Sequence, residues 1–248
     1  MIETFSSLND SSLYKPLTGC FIDTTILFSA TYPLDSFNDE CEFVFDFLAE
    51  NQVQIFTNIN VRAEFIENHR RALIAECLID LLEDEGANYD GVLLEKLKSH
   101  RTSFRRKVSE EKSAKMDVNQ IKTFRRLLAG LHKNSSGDGW DLFCKKYLLN
   151  KIEPLWDAAQ EIYQLNFISI RSDDEHPHLN SIPQWKNAEK LVGRYGIASS
   201  DAMILNMFLS SKIPVLLTAD LEMAEVANKE SNGIKKVFVP DSLFESTR

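Results

Sequence analysis

Pro214-Val215-Leu216-Leu217-Thr218-Ala219-Asp220 is the most strand-like run in the chain, and its reading decides the fold. A short apolar run of this kind reads as a buried strand, and the acid at its end opens a helical stretch through Ala227. The same grammar recurs upstream. Gly19-Cys20-Phe21-Ile22 ends at Asp23, which opens Thr24-Thr25-Ile26-Leu27-Phe28, and the strand 53–57 leads into a helix carrying Glu64 one turn inside. Further short strands are expected at 166–170 and 236–239. Helical stripes lie between them: Cys41, Val44, Phe45 and Leu48 in one, Leu155, Ala158, Ala159, Ile162 and Leu165 in another. Strands alternating with helices predict an α/β fold, a parallel sheet with right-handed crossovers.

In an open parallel sheet the carboxyl ends of the strands line one crevice, where ligands bind. Asp23, Glu64, Asp201 and Asp220 are each expected at a strand-to-helix transition, so they converge there although far apart in sequence. Taken singly each has a bland explanation, an N-cap for the aspartates and a solvated helical position for Glu64. Asp201, however, opens Ala202-Met203-Ile204-Leu205-Asn206-Met207-Phe208-Leu209, a helix too apolar to be exposed. Clustered carboxylates repel unless a cation sits among them, and an all-oxygen donor set favours Mg²⁺ or Mn²⁺. That combination points to phosphoryl chemistry. Glu222 is a candidate fifth acid that reads more simply as solvated. A phosphatase with a nucleophilic Asp23 is disfavoured, because the second acid such enzymes use two residues later is Thr25.

The charge distribution bears on the partner. The formal net charge is -9, which argues against nucleic acid at first sight. Between Lys96 and Arg126, however, eleven Lys or Arg stand against three acids, a surplus of eight that leaves about -17 elsewhere. The basic stretch lies in a region between Phe56 and Phe167 with no good strand but with helical patterns at 61–82, 93–97, 118–131 and 140–149. Turn signals break it at Glu85-Gly86-Ala87-Asn88 and at Asn134 to Gly139. The first 18 residues are Ser-rich and are expected to be poorly ordered or packed along the sheet edge.

Four segments in this order, Ile22-Asp23-Thr24-Thr25-Ile26-Leu27, Asn60-Val61-Arg62-Ala63-Glu64-Phe65, Ser200-Asp201-Ala202-Met203-Ile204-Leu205 and Leu217-Thr218-Ala219-Asp220, resemble the PIN-domain ribonucleases. That family includes toxins of toxin–antitoxin pairs and RNA-processing nucleases. The likeness covers roughly 19–72 and 151–240. It implies one PIN-like domain over 1–248, a parallel sheet between helices with a helical insertion at 73–150. It also implies metal-dependent hydrolysis of RNA phosphodiesters leaving a 5′-phosphate, with Asp23, Glu64, Asp201 and Asp220 holding Mg²⁺ or Mn²⁺. Thr24 and Thr218 would be supporting residues, Thr218 orienting water or a carboxylate. Many relatives have Asn or Ser where this chain has Thr25.

As partners the resemblance implies an RNA substrate. For a toxin or defence effector it further implies an inhibitory protein and self-association. Arg70, Arg71, Arg101, Arg105, Arg106, Lys107, Lys122, Arg125 and Arg126 are the expected RNA-binding residues, since Lys and Arg contacts to phosphate give affinity without sequence information. Phe104 and Phe124 among them are read as core anchors ahead of base-stacking platforms. The rival readings are a non-catalytic PIN-like module binding RNA or protein, and a structure-specific DNA nuclease. No apolar run is long enough for a membrane span, no Gly-rich phosphate loop is present, and the four dispersed cysteines read as reduced thiols. A cytoplasmic protein is the expectation. His-Pro-His at 176–178 reads as a surface loop, since no second ligand pair stands at zinc spacing.

Overall fold

A computed structural model describes residues 2–9, 19–89, 91–110, 112–131, 138–169 and 177–245. Its chain divides into two compact units, one comprising 1–33, 37–65 and 159–248 and the other 34–36 and 66–158.

The first unit is built on a six-stranded, all-parallel sheet: β1 Ile2–Thr4, β2 Cys20–Ile22, β3 Ile55–Asn58, β4 Asn166–Ile168, β5 Val215–Leu217 and β6 Lys236–Val239. The order across it is β1-β6-β5-β2-β3-β4. Parallel sheets need both faces covered by helices, and their inner strands are apolar throughout. β2 and β5 accordingly have every residue buried. From β2 the chain steps outward through β3 to β4, then returns to β5 on the other side of β2. The order therefore reverses between β2 and β5, and this is the topological switch point where such sheets bind ligands.

The helices of this unit are α1 Thr24–Thr31, α2 Asn38–Glu50, the start of α3 Ile59–Glu85 and the end of α8 Leu155–Ile162. They are followed by α9 Trp185–Tyr195, α10 Ser199–Ser210, α11 Leu221–Glu230 and α12 Asp241–Glu245. Right-handed crossovers put α1 and α2 on one face and the β4-to-β5 and β5-to-β6 helices on the other. Packing agrees: the Phe45 and Tyr163 rings, from α2 and the turn after α8, stand 4.0 Å apart, and α10 packs against both α9 and α11. Gly196, at φ +76°, ends α9 in the left-handed conformation that favours glycine.

The second unit is all-helical. It holds most of α3, α4 Gly91–Ser109, α5 Val118–Ala129, α6 Gly139–Phe143 running through a wide turn into α7 Leu149–Ile152, and the beginning of α8. Its core gathers Ile74, Leu78 and Leu81 of α3 with Leu97, Ile121, Phe124, Leu128 and Phe143. Asp117 and Gln120 form a capping box that starts α5, and Asp138 and Asp141 form one that starts α6.

Several expectations need correction. Ile2–Thr4 packs along the sheet edge, one of the two placements expected, but does so as a sixth strand paired in parallel with β6. Helix α4 runs far beyond the expected 93–97, and α9 was not anticipated. The turn at Gly86–Asn88 is present as a short 3₁₀ element. The turn signal over Asn134–Gly137 and the acidic loop Asp173–His176 lie outside the described residues. Cys20, Cys41, Cys77 and Cys144 are free thiols, the first three buried. No helix among the described residues is long and apolar enough to cross a membrane.

Candidate active site

Asp23 stands one residue past β2 and caps α1. It is 1% exposed, yet its carboxylate is not neutralised by any Lys or Arg among the described residues. Its Oδ2 accepts from Thr25 Oγ1 at 2.6 Å, Thr218 Oγ1 at 3.0 Å and Thr25 N–H at 3.4 Å, and the Thr24 N–H also supports the carboxylate. Burial nonetheless outweighs these bonds and pushes the carboxyl up to about 6, with the Glu64 charge adding to the rise.

The two hydroxyls that grip Asp23 are themselves fixed from the other side of the switch point. Thr25 Oγ1 accepts from Ala219 N–H at 2.9 Å, and Thr218 Oγ1 accepts from Asp220 N–H at 3.0 Å. Asp23 N–H donates to Leu217 O across the strand pair at 3.0 Å. The ends of β2 and β5 are thus stitched together through one carboxylate oxygen. Thr24 turns the other way and donates to Glu64 Oε2 at 2.8 Å. Asp220 caps α11, with Oδ1 accepting from Met223 N–H at 3.0 Å.

Asp201 departs from the expected placement. It does not follow a strand but lies in the first turn of α10, after the loop from α9, with Ala198 at the cap. The buried apolar face of α10 (Ala202, Ile204, Leu205, Phe208) anchors that turn, as the sequence implied. Its carboxyl is raised to about 7, first by burial and then by the charges of Glu64, Asp23, Asp220 and the exposed Glu222. The four expected acids are therefore brought within electrostatic reach of one another.

Each acid keeps unpartnered oxygens. Asp23 Oδ1, Glu64 Oε1, Asp220 Oδ2 and both oxygens of Asp201 accept no hydrogen bond and form no ion pair among the described residues. Two further buried groups at the carboxyl end of β3, Thr57 Oγ1 and Asn58 Nδ2, also lack partners among the described residues. Asn58 spends its Oδ1 on capping α3 through the N–H groups of Asn60 and Val61. Buried polar groups without protein partners ordinarily meet ordered water or ligand.

No group of three or more His, Cys, Asp or Glu among the described residues is drawn tight enough to enclose a metal ion directly. The donor set nonetheless suits a hard cation that keeps part of its hydration. Mg²⁺ in particular is commonly held by one or two carboxylates with several waters.

The expected RNA-binding residues fall in the helical unit. Arg106, Lys122, Arg125 and Arg126 are exposed and form no ion pair among the described residues. Arg101 and Lys107 are half-buried on α4, and Arg105 lies 3.8 Å from Glu83. Arg70 makes a two-pronged contact with Glu67, both bonds at 2.7 Å. Arg71 donates to Met116 O at 2.7 Å, fixing the 112–117 segment. Phe124 is a core residue and Phe104 packs against it, as the core-anchor reading expects.

Thr25 is the residue of this cluster whose contact the sequence reading left open. The signal was present: a hydroxyl two residues after a capping Asp is placed to bond it. His178 packs its ring on Phe56, 4.6 Å between centroids. Comparison of the chain with protein-family models, with curated proteins and with solved structures returns no match.

Proposed function

We propose that this chain is a metal-dependent ribonuclease of the PIN-domain kind, hydrolysing RNA phosphodiester bonds at Asp23, Glu64, Asp201 and Asp220. The observation that carries the reading is the set of unpartnered carboxylate oxygens at the β2–β5 switch point, with no Lys or Arg among the described residues to balance them. Leaving such charges together costs stability, and a site that needs a divalent cation accounts for the cost.

Asp23 Oδ1, Glu64 Oε1, Asp220 Oδ2 and the Asp201 carboxylate are the atoms that would hold Mg²⁺ or Mn²⁺. When bound, such ions supply Lewis-acid stabilisation of the charge developing on the attacking and leaving oxygens of an in-line displacement, and make water more acidic. The chain's own residues do the positioning. Thr25 and Thr218 lock Asp23 by its other oxygen, Thr24 locks Glu64, and the first turn of α11 locks Asp220. Asp201 accepts no hydrogen bond and its carboxyl is raised to about 7, so it would have to be deprotonated to serve as a ligand. No side chain here is set up as a covalent nucleophile.

The test is cleavage of end-labelled single-stranded RNA, a structured RNA pool and flapped DNA, each in Mn²⁺, Mg²⁺ or EDTA, by wild type and Asp23→Asn. Cation-dependent RNA cutting that disappears in the variant supports the proposal. Cutting of DNA alone moves the reading to a structure-specific DNA nuclease, and binding without cutting moves it to a non-catalytic module.

A further inference from the structure

Helix α4 carries a stripe that packing alone does not explain. Lys96, Ser99, His100, Ser103, Phe104 and Lys107 recur at i, i+3, i+4, i+7, i+8 and i+11, one face of a helix. On a helix that merely packs, this face would be apolar. Here it lines a cavity of about 270 Å³ between α4 and α5, closed on the α5 side by Gln120, Thr123 and Phe124.

The lining has the parts of a recognition site. Two lysines face the cavity and no carboxylate does, so it favours an anion. The lysines stand eleven residues apart, about 16 Å along the helix axis, which places one charge near each end. Between them lie aromatic faces: the His100 ring is 6.2 Å from Phe104 and 5.7 Å from Phe124, centroid to centroid. The polar groups between the lysines keep part of their hydrogen-bonding capacity free. His100 Nε2 must donate to Ala75 O at 2.8 Å, since a carbonyl only accepts, and burial holds the ring neutral. Its Nδ1 is left as an acceptor. Gln120 uses Oε1 for the Asp117 N–H and keeps its two Nε2 donors. Ser103 Oγ bonds nothing among the described residues. Ring faces together with free donors and acceptors suit a nucleobase, and flanking lysines suit its phosphates. The volume of about 270 Å³ lies just below the range of ligand pockets, about 300–1,000 Å³, which leaves room for one base and no more.

We infer that the cavity between α4 and α5 seats one nucleotide of single-stranded RNA, its base among His100, Phe104 and Gln120 and its flanking phosphates on Lys96 and Lys107. This rests on the ribonuclease reading and names a grip on that substrate within the helical unit.

The experiment measures anisotropy of a fluorescent ten-nucleotide single-stranded RNA in EDTA, with the full chain as wild type, Ser103→Trp and Lys107→Gln. Melting curves check that each variant folds. Ser103→Trp fills the cavity without changing charge, so affinity should fall about tenfold, the scale of one stacked base, with the salt slope unchanged. Lys107→Gln should weaken binding and lower the salt slope by about 0.7, one phosphate contact on a single strand. An abasic oligonucleotide should bind wild type and Ser103→Trp alike. Two variants that bind like wild type overturn the inference.

Binding lost in both variants, in a protein that cuts nothing, keeps the pocket and removes the ribonuclease reading. Normal binding in both variants of a protein that does cut removes the pocket alone. Tighter binding of polyglutamate than of RNA, lost in both variants, would reassign the cavity to an acidic peptide and overturn the choice of RNA.

Discussion

At the scale of single residues, the site is a balance between burial and hydroxyl support. Asp23 and Asp201 sit at about 6 and 7, above the ordinary aspartate value of 3.8. A carboxyl raised in the fold binds protons more tightly there than in the unfolded chain, so stability falls as pH rises from about 4 through 7. Buried His69 and His100 oppose this trend below about pH 6.5, so in EDTA the melting temperature of wild type relative to Asp23→Asn should be lower at pH 8 than at pH 5.5. Calorimetry at the two pH values checks this, and an unchanged or higher value at pH 8 contradicts it.

Asp23→Asn should reverse that loss, adding roughly 2–3 kcal/mol at pH 8, while abolishing cleavage. Thr218→Val should leave the fold intact but weaken divalent-cation affinity about 10–100-fold, the usual cost of removing a group that orients a ligand. The hydroxyls were only partly legible beforehand. The acids stood out because buried charge is rare, whereas Thr25 looked like a departure from a pattern until its two bonds, to Asp23 and to Ala219, were seen.

At the scale of elements, apolar runs located β2, β3, β5 and β6 within a residue or two, because a doubly covered strand must be apolar throughout. The edge strand β1 escaped because three residues beside a Ser-rich stretch carry no such signal. Helix α4 was under-read for a related reason: its apolar residues thin out after Leu97, and the stripe that continues is polar. Asp201 was placed after a strand because the helix before it, α9, shows mostly charged and small residues.

Helix α10, which presents Asp201, is fixed at its far end by Lys235. The Nζ of that lysine donates to Phe208 O, Ser211 O and Ile213 O at 2.5, 2.7 and 3.0 Å. Lys235→Met keeps the stem but takes the donor from Ile213 O, while Phe208 O still accepts from Ser211 and Ser211 O from Asn180 Nδ2. It should cost about 1–3 kcal/mol, the scale of one buried unsatisfied group, read as a lower urea midpoint with an unchanged slope. A midpoint within error of wild type would mean that water replaces the ammonium at no cost.

At the scale of the whole molecule, an acidic chain carries a surplus of positive charge in one helical region, and the whole-chain charge hides this. If that region is what RNA meets, salt dependence follows from it. Replacing Arg106, Arg125 and Arg126 together with Gln should lower the slope of log affinity against log salt by up to about 2, at about 0.7 per phosphate contact. Stability should change little, since these side chains are exposed and form no ion pair among the described residues. An unchanged slope would reduce the region to scaffolding.

The central claim is that the four acids form a divalent-cation site, and calorimetric titration of Mn²⁺ at pH 7 into wild type and Asp201→Asn, in buffers of different ionisation enthalpy, tests it most directly. The account predicts that wild type binds Mn²⁺ with release of a fraction of a proton from Asp201, and that the variant binds more weakly with less proton release. Absence of Mn²⁺ binding by the wild type, or binding indifferent to Asp201, would contradict it.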